Sequence, residues 1–312
     1  MKIILFADVP GWAWDIKARA LKENLPQFDI DVAYSHQVHG INLTKYDAVH
    51  FFGWKEAFYI GDVSKVTCGI SSFNFQLLHQ ETNQDLNKFA AIAAVSGELY
   101  HKLKKEKINS HIYSCFNGVD ENKFFPDKKK NNNKFVIGWV GQETNGGFEK
   151  RPVDIKGYQH VLLPLAEKLK HHHNIELKII ANNHTNSISH DDMPMIYNQF
   201  DLFLSTSFLE GTPNPAFEAS ACGIPVLSTG VGCLPELITN NKNGILIDAY
   251  KNAVEAKRSV DVFYDKILYL AKHKELCQVM GNYNRIEIEK NWTWKKRAKQ
   301  WIPVFNNHRF VR

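Results

Sequence analysis

Short apolar runs alternate with longer segments of helical periodicity along the whole chain, and this alternation constrains the fold more than any other feature of the sequence. Strands that alternate with helices are typical of parallel sheets, because each connection must cross back over the sheet before the next strand. The runs predicted to be buried strands are Lys2–Asp8, Asp29–Ser35, Tyr46–Gly53, Val66–Ser72, Ala90–Ser96, Ser110–Phe116, Lys134–Gly141, Ile175–Ala181, Phe200–Thr206, Ile224–Thr229 and Asn243–Asp248. The sequence therefore predicts an α/β protein.

Helical periodicity predicts the elements between these runs. The first helix has an apolar face that includes Trp14, so Trp14 is expected in the core, whereas Trp12 is left open between the core and a stacking surface for a ligand. Further helices are predicted at Gln159–Lys170, near Met193–Asn198, at Val260–His273 and at Lys274–Lys290. A last helix is predicted to begin at Thr293 as its N-cap, with aromatic residues repeating at helical spacing.

The segment Asp120–Lys134 is charged, rich in asparagine and almost free of aliphatic residues, which is typical of a linker. A long solvated loop would have the same composition, but the strand–helix alternation restarts directly after it. The chain is therefore divided into a first domain at residues 1–125 and a second at residues 126–291. The final helix, 292–312, is expected to return to the first domain.

Composition and charge narrow the class of protein. The 312 residues carry a formal net charge of +5, which is too mild to indicate a nucleic-acid binder. The five cysteines are far apart and form no C-x-x-C, so reduced thiols in a cytoplasmic protein are expected. The three consecutive histidines His171–His173 point in different directions on a helix and predict a solvated helix end rather than a metal site. No apolar run approaches the roughly 18 residues of a membrane span.

The stretch Ser205–Gly230 places two glutamates, with seven residues between them, around a predicted helix N-terminus. A helix is expected to begin near Thr212–Pro213, so Glu210 lies just before it and Glu218 about two turns along it. Carboxylates accept hydrogen bonds from vicinal hydroxyls, such as those of a ribose or a sugar ring. Either glutamate alone would be explained by the helix dipole, so it is the pair with its flanking residues that indicates a ligand site.

The longer string EGTPNPAFEASACGIPVLSTGVGCLPELI, at Glu210–Ile238, resembles the retaining, GT-B-fold nucleotide-sugar glycosyltransferases of glycosyltransferase family 4. Asn117–Pro126 and Ile137–Tyr158 are weaker matches, and the terminal NWTW segment is similar to that family's returning helix. The second half of the chain matches well, and the first half matches only in the order of its elements. The resemblance implies two Rossmann-like domains facing each other across a cleft, with the C-terminal helix crossing back to the first domain.

The resemblance also implies roles for the matching residues. Glu210 would contact the transferred sugar near its reacting centre, and Glu218 would bind the ribose. Lys156, followed by Gly157, matches the phosphate-binding lysine and would neutralise a diphosphate leaving group; read alone, it would be an ordinary surface lysine. The pocket is expected to be lined by Gly211, Thr212, Pro213, Asn214 and Pro215.

Further donor contacts are expected outside this string. Gly11 lies in the first strand-to-helix loop, where glycine allows close approach of the backbone. Asn182 lies in the loop Ile179–Asn183, where backbone contacts of family members select the base. Lys150 or Arg151 would replace an arginine that the family usually carries.

Two positions depart from the family pattern. The usual arginine after the first strand of the second domain is Gln142 here, and the insertion Glu143–Ile155 follows it. Many members also carry a histidine after the third strand of the first domain, where this chain has Phe52. His50 alternates with Phe52 on the same strand face and is predicted to be a packed residue rather than a catalytic one.

The function implied by the resemblance is transfer of a sugar from a nucleotide-diphosphate sugar to a hydroxyl of a glycan or lipid-linked glycan, with retention of configuration. No metal or other cofactor is expected, because protein cations and helix dipoles would stabilise the leaving group. A catalytically impaired nucleotide-sugar binding protein is one alternative. An NAD-type dehydrogenase is another, although the first turn, FADVPGW, lacks G-x-G-x-x-G.

The expected partners are accordingly the donor and a glycan or lipid-linked acceptor. No nucleic-acid partner is expected, because the basic runs are not interleaved with aromatic residues. The protein is expected in the cytoplasm, and a peripheral contact with the inner membrane face is left open because many glycosyltransferases act on lipid-linked acceptors.

Overall fold

The structure is a computed structural model and describes residues 1–71, 85–106, 108–127, 133–143, 154–181 and 188–307. Two compact units divide the chain. The first unit combines Met1–Gly118 with Trp292–Arg312, and the second is Val119–Asn291.

The described part of the first unit is built on a parallel six-stranded sheet with the order β2-β1-β3-β4-β5-β6. Its strands are β1 (Lys2–Ala7), β2 (Asp29–Tyr34), β3 (Ala48–Phe51), β4 (Thr67–Ile70), β5 (Ala91–Ala94) and β6 (His111–Ser114). Helix α1 (Ala13–Asn24) follows β1, and helix α2 (Gly97–Lys105) follows β5. Asp15 accepts a hydrogen bond from the Gly11 amide at 2.8 Å and so closes the turn into α1.

The second unit contains a parallel five-stranded sheet with the order β11-β10-β9-β7-β8. Its strands are β7 (Phe135–Gly141), β8 (Ile175–Ala181), β9 (Leu202–Ser205), β10 (Val226–Thr229) and β11 (Gly244–Ile247). Its helices are α3 (Leu163–Leu169), α4 (Met193–Tyr197), α5 (Asn214–Ala221), α6 (Leu234–Leu237), α7 (Ala253–Lys272) and α8 (Lys274–Glu287). The strand order reverses between β7 and β9, and in open α/β sheets ligands bind beyond the carboxyl ends of the strands at such a point.

Every run predicted as a strand contains one, although most of the strands are shorter than the runs. The helix bounds were predicted less well. Helix α7 begins at Ala253 rather than Val260, because the Asn252 side chain accepts hydrogen bonds from the amides of Val254 and Glu255 and starts the helix seven residues earlier. Helix α3 is preceded by a π-helical turn, Tyr158–Leu162.

The C-terminal segment packs into the core of the first unit, but not as one helix. It consists of α9 (Trp294–Arg297), a 3₁₀ turn (Ala298–Trp301) and α10 (Ile302–Asn306). Thr293 occupies the N-cap position, but its side chain makes no capping hydrogen bond. Pro303 lies in the first turn of α10 and has no amide hydrogen to donate to the preceding turn, so the α-helical hydrogen-bond ladder is interrupted there. Buried side chains of the segment share a cluster with strand β1.

His50 lies in the interior of the first unit. His50 is fully buried, and its Nδ1 lies 2.8 Å from the Thr67 hydroxyl. Its ring packs edge-on against Phe52 and Trp301. Burial lowers the pKa of His50 to about 3, so the ring is neutral at physiological pH. His50 is therefore a packed residue, as predicted.

The structure also gives the burial of the tryptophans, histidines and cysteines that the sequence singled out. Trp14 is partly buried against the core, whereas Trp12 is 44% exposed. His171 and His173 are exposed, as predicted for a solvated helix end. The cysteines are all buried and unbridged. Within the described ranges no helix is long and apolar enough to cross a membrane.

Candidate functional site

The loop between β9 and α5 carries the motif that the sequence singled out. Helix α5 begins at Asn214, directly after the expected Thr212–Pro213, because Pro213 at the N-cap position has a non-helical ψ of 79°. Pro215 lies in the first turn, where a proline removes no helical hydrogen bond. The loop thus brings Glu210 to the carboxyl end of β9, beside the point where the strand order reverses.

An ion pair lies at this edge of the sheet. The Lys156 ammonium lies 2.6 Å from Oε1 of Glu210, and the Ser207 hydroxyl donates to the same oxygen at 2.7 Å. The Lys156 side chain is 27% exposed and the Glu210 side chain 10%. The carboxylate is therefore largely removed from water, while its partner cation remains accessible to an anion. These are the two groups predicted to act on the transferred sugar and the phosphate.

The loop that carries Lys156 is fixed against the end of β9. The Thr206 hydroxyl donates to the Lys156 carbonyl at 2.8 Å, and the Phe208 amide donates to the Ile155 carbonyl at 2.8 Å. Gly157 has a φ of +65°, and a Cβ there would lie 2.0 Å from the Thr206 carbonyl oxygen. Only glycine fits this contact, which explains the glycine that follows Lys156.

Gly232 performs a similar task for the Glu210 loop. Its φ is +61°, and a Cβ there would lie 2.5 Å from the Gly211 carbonyl oxygen. That oxygen accepts a hydrogen bond from the Cys233 amide at 2.9 Å. The Thr229 hydroxyl donates to the Ser207 carbonyl at 2.6 Å. The TGVGC stretch after β10 therefore holds the backbone around Glu210 in place.

Glu218 lies on α5 four residues after its start, which is about one turn rather than the two turns expected. Its Oε2 accepts a hydrogen bond from the Tyr197 hydroxyl at 2.7 Å, and its Oε1 lies 2.9 Å from Nε2 of His190. Burial and the neighbouring carboxylate raise the pKa of Tyr197 well above its usual value. The two glutamates of the motif thus have different hydrogen-bond partners.

The other predicted positions are distributed over both units. Gly11 has a φ of +78° with open space around its Cβ position, so its conformation, rather than a close contact within the chain, requires glycine. Gln142, at the position of the family's arginine, is exposed. Phe52 is buried and packs against Trp301. Arg151 and Asn182 lie outside the described residues, as does Lys150.

Several contributors to the site were not predicted from the sequence. Ser207 is three residues from Glu210 and lies in the same loop, so its proximity was a usable signal. His190 and Tyr197 are 28 and 21 residues from Glu218 along the chain, and no spacing pattern connects them to it. The Tyr250 hydroxyl donates to the Thr206 carbonyl at 2.6 Å. No spacing pattern in the sequence predicts this contact either.

Comparison with known families identifies the chain more closely. The family model described as glycosyl transferases group 1 matches residues 124–287, which is more than half of the chain. Spore coat protein SA of Bacillus subtilis is 29% identical over 119 residues, which are 38% of this chain and 30% of that protein. The glycosyltransferase CapM of Staphylococcus aureus, named for capsular polysaccharide biosynthesis, is 24% identical over 235 residues, which are 65% of this chain and 57% of that protein. The chain thus spans 30% to 57% of these curated relatives.

Solved structures match this fold over 98% of the chain. Sucrose-phosphate synthase from Thermosynechococcus elongatus matches with a TM-score of 0.80 at 12% identity, over 98% of each chain. HepE of Anabaena, in a complex with UDP-glucose, matches with a TM-score of 0.67 at 13% identity, over 98% of this chain and 99% of that one. The predicted α/β fold of GT-B type is confirmed by these matches. Together with the family model, they show that the chain belongs to the glycosyl transferases of group 1.

Proposed function

We propose that the protein transfers a sugar from a nucleoside-diphosphate sugar to an acceptor hydroxyl, with retention of the anomeric configuration. The observation that carries this proposal is the ion pair between Lys156 and Glu210, 2.6 Å apart at the carboxyl end of β9. It combines a cation suited to a diphosphate with a shielded carboxylate suited to a sugar. Glu210 lies in the loop that enters helix α5, whose N-terminal end carries the positive pole of the helix dipole.

The chemistry follows from where charge develops. As the bond between the sugar and the diphosphate breaks, negative charge grows on the leaving group and positive charge grows on the sugar ring. In the proposal Lys156 stabilises the diphosphate, and the positive end of the α5 dipole adds to this effect. Glu210 orients the sugar through its hydroxyls and stabilises the positive ring. The pair is neutral before the donor binds, so Lys156 can turn to the phosphate while Glu210 keeps the hydrogen bond from Ser207.

The remaining motif residues complete the donor site in this proposal. Glu218 accepts hydrogen bonds from the ribose hydroxyls, and the backbone from Gly211 to Pro215 lines the sugar pocket. Gly11, Arg151 and Asn182 remain proposed donor contacts. The reaction is proposed to proceed without a metal, because Lys156 and the dipole of α5 supply the positive charge that a metal would bring.

The acceptor is proposed to be a hydroxyl of a glycan or of a lipid-linked glycan. CapM, by its name, serves capsular polysaccharide biosynthesis. A relative in Mycobacterium tuberculosis, 27% identical over 117 residues that are 35% of this chain, is named as a mannosyltransferase dependent on GDP-mannose and acting on a phosphatidylinositol monomannoside. A lipid-linked acceptor would bring the enzyme to a membrane surface as a peripheral protein.

The first experiment is a thermal-shift panel of UDP-, GDP- and ADP-sugars. A selective rise in melting temperature identifies the donor, because a ligand that binds only the folded chain stabilises it. With that donor, Glu218→Ala is expected to weaken donor binding and Lys156→Ala to lower turnover. Unchanged binding and transfer in both variants would refute the assignment of this site.

A catalytically impaired donor-binding protein is the second candidate, and the exposed Gln142 in place of an arginine favours it. The two candidates differ in a simple assay without acceptor. Slow hydrolysis of the bound donor by the wild type, abolished in Lys156→Ala, supports the transferase. Donor binding with no hydrolysis and no transfer to any glycan supports the binding protein.

A further inference from the structure

The carboxylate of Glu218 is held by two side chains from outside its own helix. The Tyr197 hydroxyl, at the end of α4, donates to Oε2 at 2.7 Å. His190, in the segment before α4, lies with Nε2 2.9 Å from Oε1. A carboxylate oxygen can accept more than one hydrogen bond. Both oxygens of Glu218 are thus oriented by the protein while each keeps capacity for a further donor.

The neighbouring cation determines the direction of the hydrogen bond from His190. The Lys123 ammonium lies 2.9 Å from Nδ1 of His190. An ammonium group only donates, so Nδ1 must accept, and the ring proton of the neutral imidazole must lie on Nε2. Nε2 then donates to Glu218. The opposite tautomer would place a lone pair against the carboxylate, so Lys123 keeps His190 in the orientation that binds Glu218.

Lys123 itself belongs to a turn that the protein fixes firmly. The Lys123 amide donates to the Asp120 carboxylate at 3.1 Å. The guanidinium of Arg285, on α8, donates to the carbonyls of Glu121 and Phe124 at 3.1 and 2.7 Å. These bonds lie on both sides of Lys123 in the chain. They give a role to the NGVDENKFFP segment, which the sequence singled out and the proposed reaction did not use.

The Phe124 ring covers one side of His190 and Tyr197. The Phe124 ring packs edge-on against His190 and against Tyr197, with ring centroids 5.3 and 5.9 Å apart. Tyr197 is fully buried. The bond from Tyr197 to Glu218 is therefore largely shielded from water, and such a bond is stronger than one exposed to water.

We propose that Lys123, His190 and Tyr197 are positioning residues that hold Glu218 as an acceptor for two adjacent ribose hydroxyls. This inference rests on the proposed function, because it takes the ligand of Glu218 to be a nucleoside diphosphate. Its consequence is discrimination at the sugar of the nucleotide: a ribose satisfies both oriented oxygens, whereas a 2′-deoxyribose leaves one of them without its second donor. The three side chains act through Glu218 and do not themselves contact the ligand.

Calorimetric titration tests the proposal. UDP, GDP and ADP are titrated into the wild type, and the one that binds is compared with its 2′-deoxy counterpart. Tyr197→Phe removes one oriented donor, and Lys123→Met removes the cation that sets the His190 tautomer. In both variants the affinity for the ribonucleotide is expected to fall about three- to tenfold, while the affinity for the deoxynucleotide changes by less than about twofold. The preference for ribose therefore shrinks.

Two controls separate positioning from general damage. Tyr264→Phe removes a comparable bond between a tyrosine hydroxyl and a histidine, His172, at 2.7 Å in the same unit, and should leave both affinities unchanged. In a Glu218→Gln background, Tyr197→Phe should cause no further loss of ribose preference, because coupled residues are not additive.

Equal losses for both nucleotides, or full additivity with Glu218→Gln, would overturn the positioning role and leave the proposed function standing. A wild type that binds none of the three nucleotides would overturn the proposed function and this inference with it. Titration of the wild type tests the proposed function before any variant is made, and the variants then test the positioning role.

Discussion

Each unit has a lysine between the first and second strands of its sheet in chain order, and the two lysines have opposite surroundings. Lys17, on α1, is 3% exposed, and its ammonium lies 5.1 Å from the centre of the Phe52 ring and 5.4 Å from that of Trp301. Lys156, after β7, is partly exposed and pairs with Glu210. The same residue type is thus packed against aromatic rings in one unit and paired with a carboxylate in the other.

The difference shows that the groups around a charged side chain determine whether it can bind a ligand. Burial lowers the pKa of Lys17 to about 8, against smaller opposing effects of Cys115 and Asp8. A cation held in this way is shielded from ligands and destabilises the fold when it is charged. Lys156 keeps a carboxylate beside it and part of its surface in water, so its charge remains available to an incoming anion.

The largest expected effect compares the two lysines directly. Lys156→Met should lower kcat for sugar transfer by about 100- to 1,000-fold, because a preorganised group that stabilises the leaving group is lost. Lys17→Met, the matched change in the other unit, should alter kcat by less than about threefold, because Lys17 contacts aromatic rings rather than the donor. Initial rates with the donor found in the thermal-shift panel measure both. Similar losses of kcat in the two variants would contradict the assignment of Lys156, but not Lys17, to the leaving group.

The next effect compares glycines in the corresponding loops. Gly157→Ala should lower the free energy of unfolding by about 3 kcal/mol or more, since its Cβ would overlap the Thr206 carbonyl in addition to the unfavourable φ. Gly11→Ala should lower it by only about 1–2 kcal/mol, because it has the same sign of φ but open space at the Cβ position. Urea denaturation followed by circular dichroism gives both values. If the two substitutions proved equally harmful, packing at Gly157 would not be what fixes the Lys156 loop.

The smallest effect is a dependence on pH that only Lys17 should cause. Between pH 8 and 10.5 the unfolded chain keeps the Lys17 proton while the folded chain releases it, so this group makes the free energy of unfolding rise with pH. The free energy of wild type minus that of Lys17→Met should therefore increase by about 1 kcal/mol from pH 7.5 to pH 9. Denaturation at several pH values measures this difference, in which the titrations of other groups cancel. A difference that stays flat would mean that Lys17 titrates as it does in the unfolded chain.

Much of the fold could be read from the sequence because hydrophobic periodicity is a local signal of burial. It located the strands of both sheets, and the switch in composition before β7 marked the start of a second set. The bounds of helices were harder to predict. Asn252 starts α7 with a side-chain cap that a search for apolar repeats overlooks, and Pro303 divides the C-terminal segment without disturbing its apolar spacing.

The candidate site was predictable only in part. Glu210, Glu218 and Lys156 were found because a family motif keeps them in a recognisable order. Their partners were not found, because His190 and Tyr197 reach Glu218 from a different connection of the sheet. The roles of all these residues remain predictions for the experiments above.

The sequence by itself determined that the chain would form two successive parallel α/β sheets, and where along it the glutamate motif would stand. These are properties of neighbouring residues: alternating hydrophobicity, turn residues and motif spacing. Only the tertiary structure decided which distant groups meet, such as Lys156 with Glu210 across 54 positions of the chain. The physical reason is that a parallel sheet brings the ends of separate strands to one edge, and the contacts made there depend on the order of the strands rather than on the order of the residues.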